Sequence, residues 1–363
     1  MAKDVVGIGI IGTGFARSTQ IPGFRACQGA RVAAIASGRK ENAERVAREF
    51  GIEFAAGDWR EVIERADVDL ISIVTPTSTH REMTLAALDA GKAVLCEKPT
   101  AMDAREATEM MRRSTETNAL ALIDHELRFL PARRAMRELI HAGEIGRVHH
   151  VKYCFRAESR VSPERPWNWW SDAAQGGGVL GAIGSHAVDS IRWMLKTEIS
   201  HVSGRLATHI WERKEEETGQ LRPVTSDDEA NLLLRLRDGM VTQGATATIS
   251  MSVVEQGRPL HFMEVFGSKG ALMVDGNNLL RARTGEGNWS EVDAPTGELA
   301  EGMRDSEWSR GFTLFSRAVI DALREGRNTV DEAATFTDGY RNQLVLDAAR
   351  RSSHTGASEE IKD

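Results

Sequence analysis

Val5-Val6-Gly7-Ile8-Gly9-Ile10-Ile11-Gly12-Thr13-Gly14-Phe15-Ala16 is the stretch on which the fold turns. Its first seven residues form a short apolar run, which reads as a strand buried on both faces. Gly12-Thr13-Gly14 follows at once, and a helical pattern opens at residue 15. In that setting the first glycine permits a tight turn, and the second lets a pyrophosphate approach the backbone. The free N–H groups and dipole of the helix N-terminus complete an anion site. Thr13, Phe15 and Ala16 fill out the candidate loop. The third small residue of the Gly-x-Gly-x-x-Gly spacing falls on Arg17, while Ala16 sits one place early.

Outward from this loop, apolar strand candidates recur at 5–11, 31–36, 69–74, 93–96 and 120–123. Amphipathic helical stretches lie between them, near 15–27, 41–50, 59–66, 79–90 and 104–117. Asp58 with Glu61, Thr79 with Glu82, and Asp103 with Glu106 have the spacing of capping boxes. Continuous apolar strands alternating with helices predict a doubly wound parallel sheet over residues 1–125. Residues 126–363 read differently. A helix is expected at 182–196, and strands at 231–237, 240–252, 260–267, 270–275 and 278–283, with Asp238-Gly239 as a hairpin turn. Two closing helices follow, near 306–325 and 331–351. The second domain is therefore expected to be α/β on an open, mostly antiparallel sheet. The charged run Arg213 to Glu217 reads as a solvated loop, and the polar end from Ser352 to Asp363 as a fraying tail.

The chain has 363 residues, with 46 Lys plus Arg against 53 Asp plus Glu, a net charge of −7. That balance argues against nucleic acid and anionic membranes as partners. The start, Met1-Ala2-Lys3-Asp4, runs straight into a strand and has no signal-peptide pattern. Cys27, Cys96 and Cys154 are scattered, which predicts neither disulfides nor a thiolate metal site and fits a reducing, cytoplasmic location. No metal is expected. Seven of the eight Trp lie after residue 150.

Four segments carry chemistry in the first domain or at its end. Ser37-Gly38-Arg39-Lys40 ends the second strand, where an acid would hold an adenosine ribose 2′-hydroxyl. Ser37, Arg39 and Lys40 suit a 2′-phosphate instead, so NADP(H) is favoured over NAD(H). Cys96-Glu97-Lys98-Pro99 closes a strand at the carboxyl edge of the sheet, where such folds bind ligands. A lysine there is a candidate general acid/base. Thr75-Pro76-Thr77-Ser78-Thr79-His80 ends the preceding strand, and Asp124-His125-Glu126-Leu127-Arg128-Phe129 follows the next.

These segments, followed by Gly176-Gly177-Gly178-Val179-Leu180-Gly181-Ala182-Ile183-Gly184-Ser185-His186-Ala187-Val188-Asp189, resemble the Gfo/Idh/MocA oxidoreductases over essentially the whole chain. The resemblance implies an N-terminal Rossmann domain and a C-terminal domain whose open sheet builds homodimers or homotetramers. It implies hydride transfer between a nicotinamide cofactor and a sugar, polyol or keto-sugar carbon. Lys98 would be the acid/base, and His186 would meet the substrate hydroxyl. Thr75, Pro76, His80 and Glu97 would line the nicotinamide end. Many relatives carry Asp where this chain has Ala182, so Asp189, on the same helical face as His186, becomes its expected partner. Relatives on this scaffold also include NAD-dependent glycoside hydrolases and non-catalytic dinucleotide sensors.

Arg128 and Arg156 are candidate substrate contacts, with ion pairs as the alternative. Trp167, Trp169 and Trp170 precede the Gly-rich turn and present flat rings suited to sugar faces, to a core or to a subunit interface. His149 and His150 point to opposite faces if they lie in a strand, which excludes a shared metal.

Overall fold

The computed structural model describes residues 3–283, 285 and 287–362. Met1, Ala2 and Asp363, at the expected chain ends, lie outside them. The chain forms two compact units: Met1–Leu130 with Gly297–Tyr340, and Pro131–Thr296 with Arg341–Asp363.

The first unit begins with β1 (Val6–Ile11), β2 (Ala30–Ala36), β3 (Phe54–Ala56), β4 (Leu70–Ile73), β5 (Ala93–Cys96) and β6 (Ala121–Ile123). These six pair in parallel in the order β6-β5-β4-β1-β2-β3. Helices α1 (Ile21–Arg25), α2 (Lys40–Phe50), α3 (Arg60–Ile63), α4 (His80–Asp89) and α5 (Ala104–Thr117) connect them. Strand alternation sends Ile8, Ile10, Ile35, Leu95 and Leu122 into one core, and Ile11, Ala34, Ile71, Val94 and Ile123 into another. A sheet buried on both faces needs the continuous apolar strands that the sequence shows. Strand order reverses between β1 and β4, and the carboxyl ends beside that switch carry Gly12, Thr75 and Lys98.

The second unit opens with α6 (Pro131–His141) and β7 (Val148–Arg156). A π-helical turn, Leu180–Gly184, then runs into α7 (Ser185–Leu195). The strands that follow are β8 (Ile199–Ala207), β9 (Glu212–Lys214), β10 (Leu221–Pro223), β11 (Glu229–Leu236), β12 (Thr242–Ser252), β13 (Leu260–Gly267), β14 (Gly270–Asp275), β15 (Asn278–Arg283) and β16 (Ser290–Val292). The large sheet runs β16-β15-β14-β13-β7-β12-β11-β8 and is antiparallel except where β7 meets β12. The expected Rossmann-like parallel sheet and mostly antiparallel second sheet are both present.

Four expectations change. The linear split at residue 125 misses α8 (Glu307–Arg324), which packs in the first unit. There Phe312 meets Phe24 edge-on and Phe315 stacks on Phe129. β17 (Ala334–Thr335) then adds antiparallel to β6. Helix α9 (Phe336–Thr355) buries Phe336 in the first unit and Val345, Leu346 and Ala349 in the second. The tail does not fray as expected, since β18 (Glu359–Glu360) pairs with β8 and Ile361 is buried. The run from Arg213 is no solvated loop at its start: β9 forms a hairpin with β10, and the Arg213 guanidinium is buried, donating to the Ser162 and Arg160 carbonyls. Of the capping boxes, only that of Asp103 and Glu106 forms: Asp103 accepts the Glu106 N–H, and the Glu106 carboxylate accepts the N–H of Met102, one residue before the cap. Asp58 bonds to Arg60 instead, and Thr79 to Pro76.

Candidate active site

The glycine loop has the geometry its sequence requires. Gly12 lies at φ +112°, and a Cβ there would stand 2.2 Å from the Val74 carbonyl oxygen, so only glycine fits. Its N–H donates to the Ala36 carbonyl at 2.9 Å. Gly14 is exposed, and a Cβ on it would meet nothing within 4 Å, which leaves the loop open to a ligand. Thr13 is half-buried beside it and Phe15 is exposed. Ala16, not Arg17, is the close-packed small residue: it is fully buried while Arg17 reaches outward to Glu49. The cause is a π-helical turn, Ala16–Gln20, closed by the Ile21 N–H donating to the Ala16 carbonyl. At the end of β2, Ser37 is half-buried, Arg39 and Lys40 are exposed, and Lys40 lies 3.9 Å from Glu44.

The strand ends β4 and β5 are tied together by His80. Its ring is buried, with one nitrogen 3.0 Å from the Thr75 carbonyl oxygen and the other 3.0 Å from that of Pro99. Burial pulls the imidazole below its ordinary range and favours the neutral ring. His80 thus sits beneath the surface as a clamp on the Thr75-Pro76 turn and the loop bearing Lys98. Thr75 and Pro76 are half-buried, and so is Lys98.

Below Lys98 lies a cluster that the motifs did not single out. Glu97, Asp124 and Glu126 are all buried, as are Gln20 and Ser72. The Ser72 hydroxyl donates to Gln20 Oε1 at 2.5 Å, and Gln20 Nε2 donates to Glu97 Oε1 at 2.9 Å and Asp124 Oδ2 at 3.0 Å. Desolvation raises the proton affinity of all three carboxyls, carrying Glu126 up to about 8 and Asp124 well above the carboxylate range. The Lys98 charge opposes the shift in each. Asp124 and Glu126 stood in the segment Asp124 to Phe129, but their burial has no signature in a single sequence.

In the second unit, His186 and Asp189 occupy α7, where both are buried. Asp189 Oδ1 accepts from Asn342 Nδ2 at 3.0 Å. The Asn342 Oδ1 accepts from Arg192 at 2.8 Å, and Arg192 forms a two-point ion pair with Glu198 at 2.6 and 2.7 Å. Asn342, more than 150 positions after Asp189, carried no sequence signal. The turn before α7 is fixed by Asp227, whose Oδ2 accepts the Leu180 N–H at 2.7 Å. Gly178 lies at φ +113°, with room for no Cβ against the Asp227 carboxylate. Ala182 falls in the π-helical turn, half-buried.

The remaining candidates divide. Arg128 is buried in the first unit, 3.2 Å from Asp338 and bonded to the Glu332 carbonyl. Arg156 pairs with Glu255 at 2.9 Å near the surface. Both therefore adopt the ion-pair alternative. The Arg222 guanidinium lies 3.5 Å from the Trp167 ring centre and that of Arg160 lies 3.7 Å from Trp170, so one face of each ring is covered. Trp170 also packs on the second unit's core, whereas Trp169 is 37% exposed. No group of His, Cys, Asp and Glu among the described residues has a metal-holding arrangement. No helix among them is long and apolar enough to cross a membrane.

Comparison with known proteins places this geometry. Residues 6–125 match the model of an oxidoreductase family with an NAD-binding Rossmann fold, and residues 133–273 match the GFO/IDH/MocA C-terminal domain. The glucose-fructose oxidoreductase domain-containing protein 2 of Xenopus laevis is 30% identical, over 98% of this chain and 94% of its own. The crystal structure of an oxidoreductase domain protein from Kribbella flavida superposes with a TM-score of 0.88 at 29% identity, covering 99% of this chain and 100% of that one. Levoglucosan dehydrogenase in complex with NADH and L-sorbose gives 0.88 at 25% identity, with the same coverage.

Proposed function

The chain belongs to the Gfo/Idh/MocA oxidoreductase family, and from that premise we propose that it transfers a hydride between a nicotinamide cofactor and a sugar, polyol or keto-sugar carbon, with Lys98 as acid/base. The observation that carries this reading is the placement of Lys98. It is a half-buried amine at the carboxyl edge of the parallel sheet, beside the switch point and on a loop clamped by His80.

The loop fits a dinucleotide: Gly12 makes the turn, Gly14 leaves open space, and the helix N-terminus faces it. When bound, the nicotinamide supplies the hydride acceptor or donor. In the oxidation direction the Lys98 amine takes the hydroxyl proton as the carbinol C–H leaves as hydride and the carbonyl forms. Thr75 and Pro76 shape the nicotinamide end. His186 orients the substrate hydroxyl, and the Asp189–Asn342–Arg192 network anchors the helix that carries it. Trp169, the most exposed of its cluster, offers a ring to the sugar face. Ser37, Arg39 and Lys40 favour NADP(H) over NAD(H), since no acid stands among residues 37–40 to hold a free 2′-hydroxyl. The protein works in the cytoplasm, and the open face of the large sheet joins copies into a dimer or tetramer.

The test is a panel of sugars, polyols and keto-sugars offered with NAD(H) and NADP(H) in turn, read by nicotinamide absorbance. We expect turnover with NADP(H) preferred, and a loss of about a thousandfold in kcat for Lys98→Met. Full activity in Lys98→Met, or no cofactor oxidation or reduction with any substrate, overturns the reading. Sugar release from glycosides without net cofactor reduction selects a hydrolytic reaction instead.

A further inference from the structure

Three buried carboxyl groups lie at the ends of β5 and β6, beside the half-buried Lys98. Glu97 is 8% exposed, Asp124 0% and Glu126 2%. Each carboxyl feels the Lys98 charge, and that is one cation for three acids. An ionised carboxylate removed from water is costly unless its oxygens are hydrogen-bonded. Here the hydrogen bonds fall short. Asp124 Oδ1 and Glu126 Oε2 are buried without any hydrogen-bond partner. Both amide hydrogens of Gln20 are already committed, one to Glu97 and one to Asp124. The Gln20 orientation is fixed because its carbonyl accepts from Ser72.

Glu97 Oε1 and Asp124 Oδ2 converge on the one Gln20 amide nitrogen, at 2.9 and 3.0 Å. Two carboxylates brought together out of water repel each other, which favours a proton on one of them. Burial and the neighbouring Glu97 charge push Asp124 well above its ordinary value. Other groups bear on the site. Glu307 from α8 presses further negative charge on Glu126. The Cys96 thiol stays protonated, held there by burial and by Glu97 and Asp124. The buried His80 ring on α4 also feels the Lys98 charge, which with burial lowers its proton affinity.

We propose that Asp124 and Glu126 are undissociated carboxylic acids at neutral pH, and that with Glu97 they form a buried proton store that governs the charge of Lys98. Charge balance then closes, with the Glu97 carboxylate against the Lys98 ammonium. The Gln20 amide holds Asp124 and Glu97 side by side. Glu126 is the member that gives up its proton when the pH rises, adding a negative charge beside the amine. Asp124 and Glu126 are positioning residues: they act on the substrate only through Lys98. Their role in turnover rests on the proposed dehydrogenase reading; their protonation does not.

Infrared difference spectroscopy of the cofactor-free protein separates the two. The C=O stretch of undissociated carboxylic acid is expected at pH 7 in the unaltered chain, with one component lost in Asp124→Asn and another in Glu126→Gln. Lys98→Met removes the balancing cation, so Glu97 takes up a proton and a third component appears. Absence of any undissociated band in the unaltered chain at pH 7 overturns the proposal, and that measurement needs no variant to fold. A Lys98→Met spectrum without the third component removes the link to Lys98. In turnover, Glu126→Gln is expected to move the acid limb of the oxidation pH profile downward by roughly half a unit or more, because no acid remains to ionise beside the amine. An unmoved limb with the bands present shows a store that does not serve Lys98, and so overturns the second half. If no substrate is ever turned over, the dehydrogenase reading fails while the spectra still decide the protonation.

Discussion

Beneath Lys98, three buried carboxyls converge on one glutamine and one ammonium, and two of their oxygens have no partner. Beside His186, the buried Asp189 is bonded to Asn342, Asn342 to Arg192, and Arg192 at two points to Glu198. The first region sets three acids against one lysine and leaves carboxyl oxygens bare, while the second, with two acids and one cation, is matched bond for bond from acid to amide to cation to acid. A chain matched bond for bond holds its side chains in place. An unmatched cluster must respond to pH, because burial leaves protonation as its way to shed charge. The contrast is one of chemistry: the second unit's network is tied bond to bond, and the first unit's cluster carries protons that burial has shifted.

The strongest test of the matched side is Asn342→Ala. It leaves the Asp189 carboxylate and the Arg192 guanidinium buried without the amide that joins them. Removing one partner of a buried polar network costs about 2 kcal/mol or more. We expect urea denaturation to show that loss, together with a drop in kcat larger than any change in KM for cofactor, since α7, which carries His186, loses its anchor. Unchanged stability breaks the comparison at its better-ordered end, for it would mean the chain of bonds is not a unit.

The unmatched side predicts a pH dependence of stability. In the folded chain Glu126 keeps its proton up to about 8, and in the unfolded chain only to about 4.5. Between those values the folded state holds more protons than the unfolded state, so stability falls as pH rises through the window. Asp124 and Glu97 shift in the same direction. Glu126→Gln has no proton to lose there. Its melting temperature is expected to decline less between about pH 5 and pH 8 than that of the unaltered chain, by a few degrees. Parallel declines for the two proteins erase the distinction between the regions.

Much of this was legible before the structure. The parallel sheet announced itself because strands buried on both faces are wholly apolar, and Gly12 because one backbone conformation admits only glycine. Lys98 was found through its place at a strand end. What escaped has a common physical cause. β3 is a three-residue edge strand, too short for a period, and β7 begins Val148-His149-His150, whose half-exposed alternation is masked by the paired histidines. The partition of α8 depends on Phe312 and Phe315 meeting Phe24 and Phe129, contacts nearly 200 positions apart or more. Arg213 looked solvated because charge predicts water, yet backbone carbonyls satisfied it. The Gln20–Glu97–Asp124 bridge joins residues 77 and 104 positions apart, and no local pattern encodes such a convergence.

The smallest effect belongs to charge that is matched but exposed. Arg156 and Glu255 stand 2.9 Å apart, with side chains 39% and 47% exposed. Water already solvates both ends, and such pairs are worth about 0.5 kcal/mol or less. Glu255→Ala is therefore expected to leave the denaturation midpoint almost unmoved, in contrast to Asn342→Ala. The same variant releases the Arg156 guanidinium. If that group also meets substrate, KM for the sugar changes while stability does not. If the ion pair is its whole role, both stay fixed. A stability loss comparable to that of Asn342→Ala would show that pairing itself, and not burial, makes the network in the second unit strong.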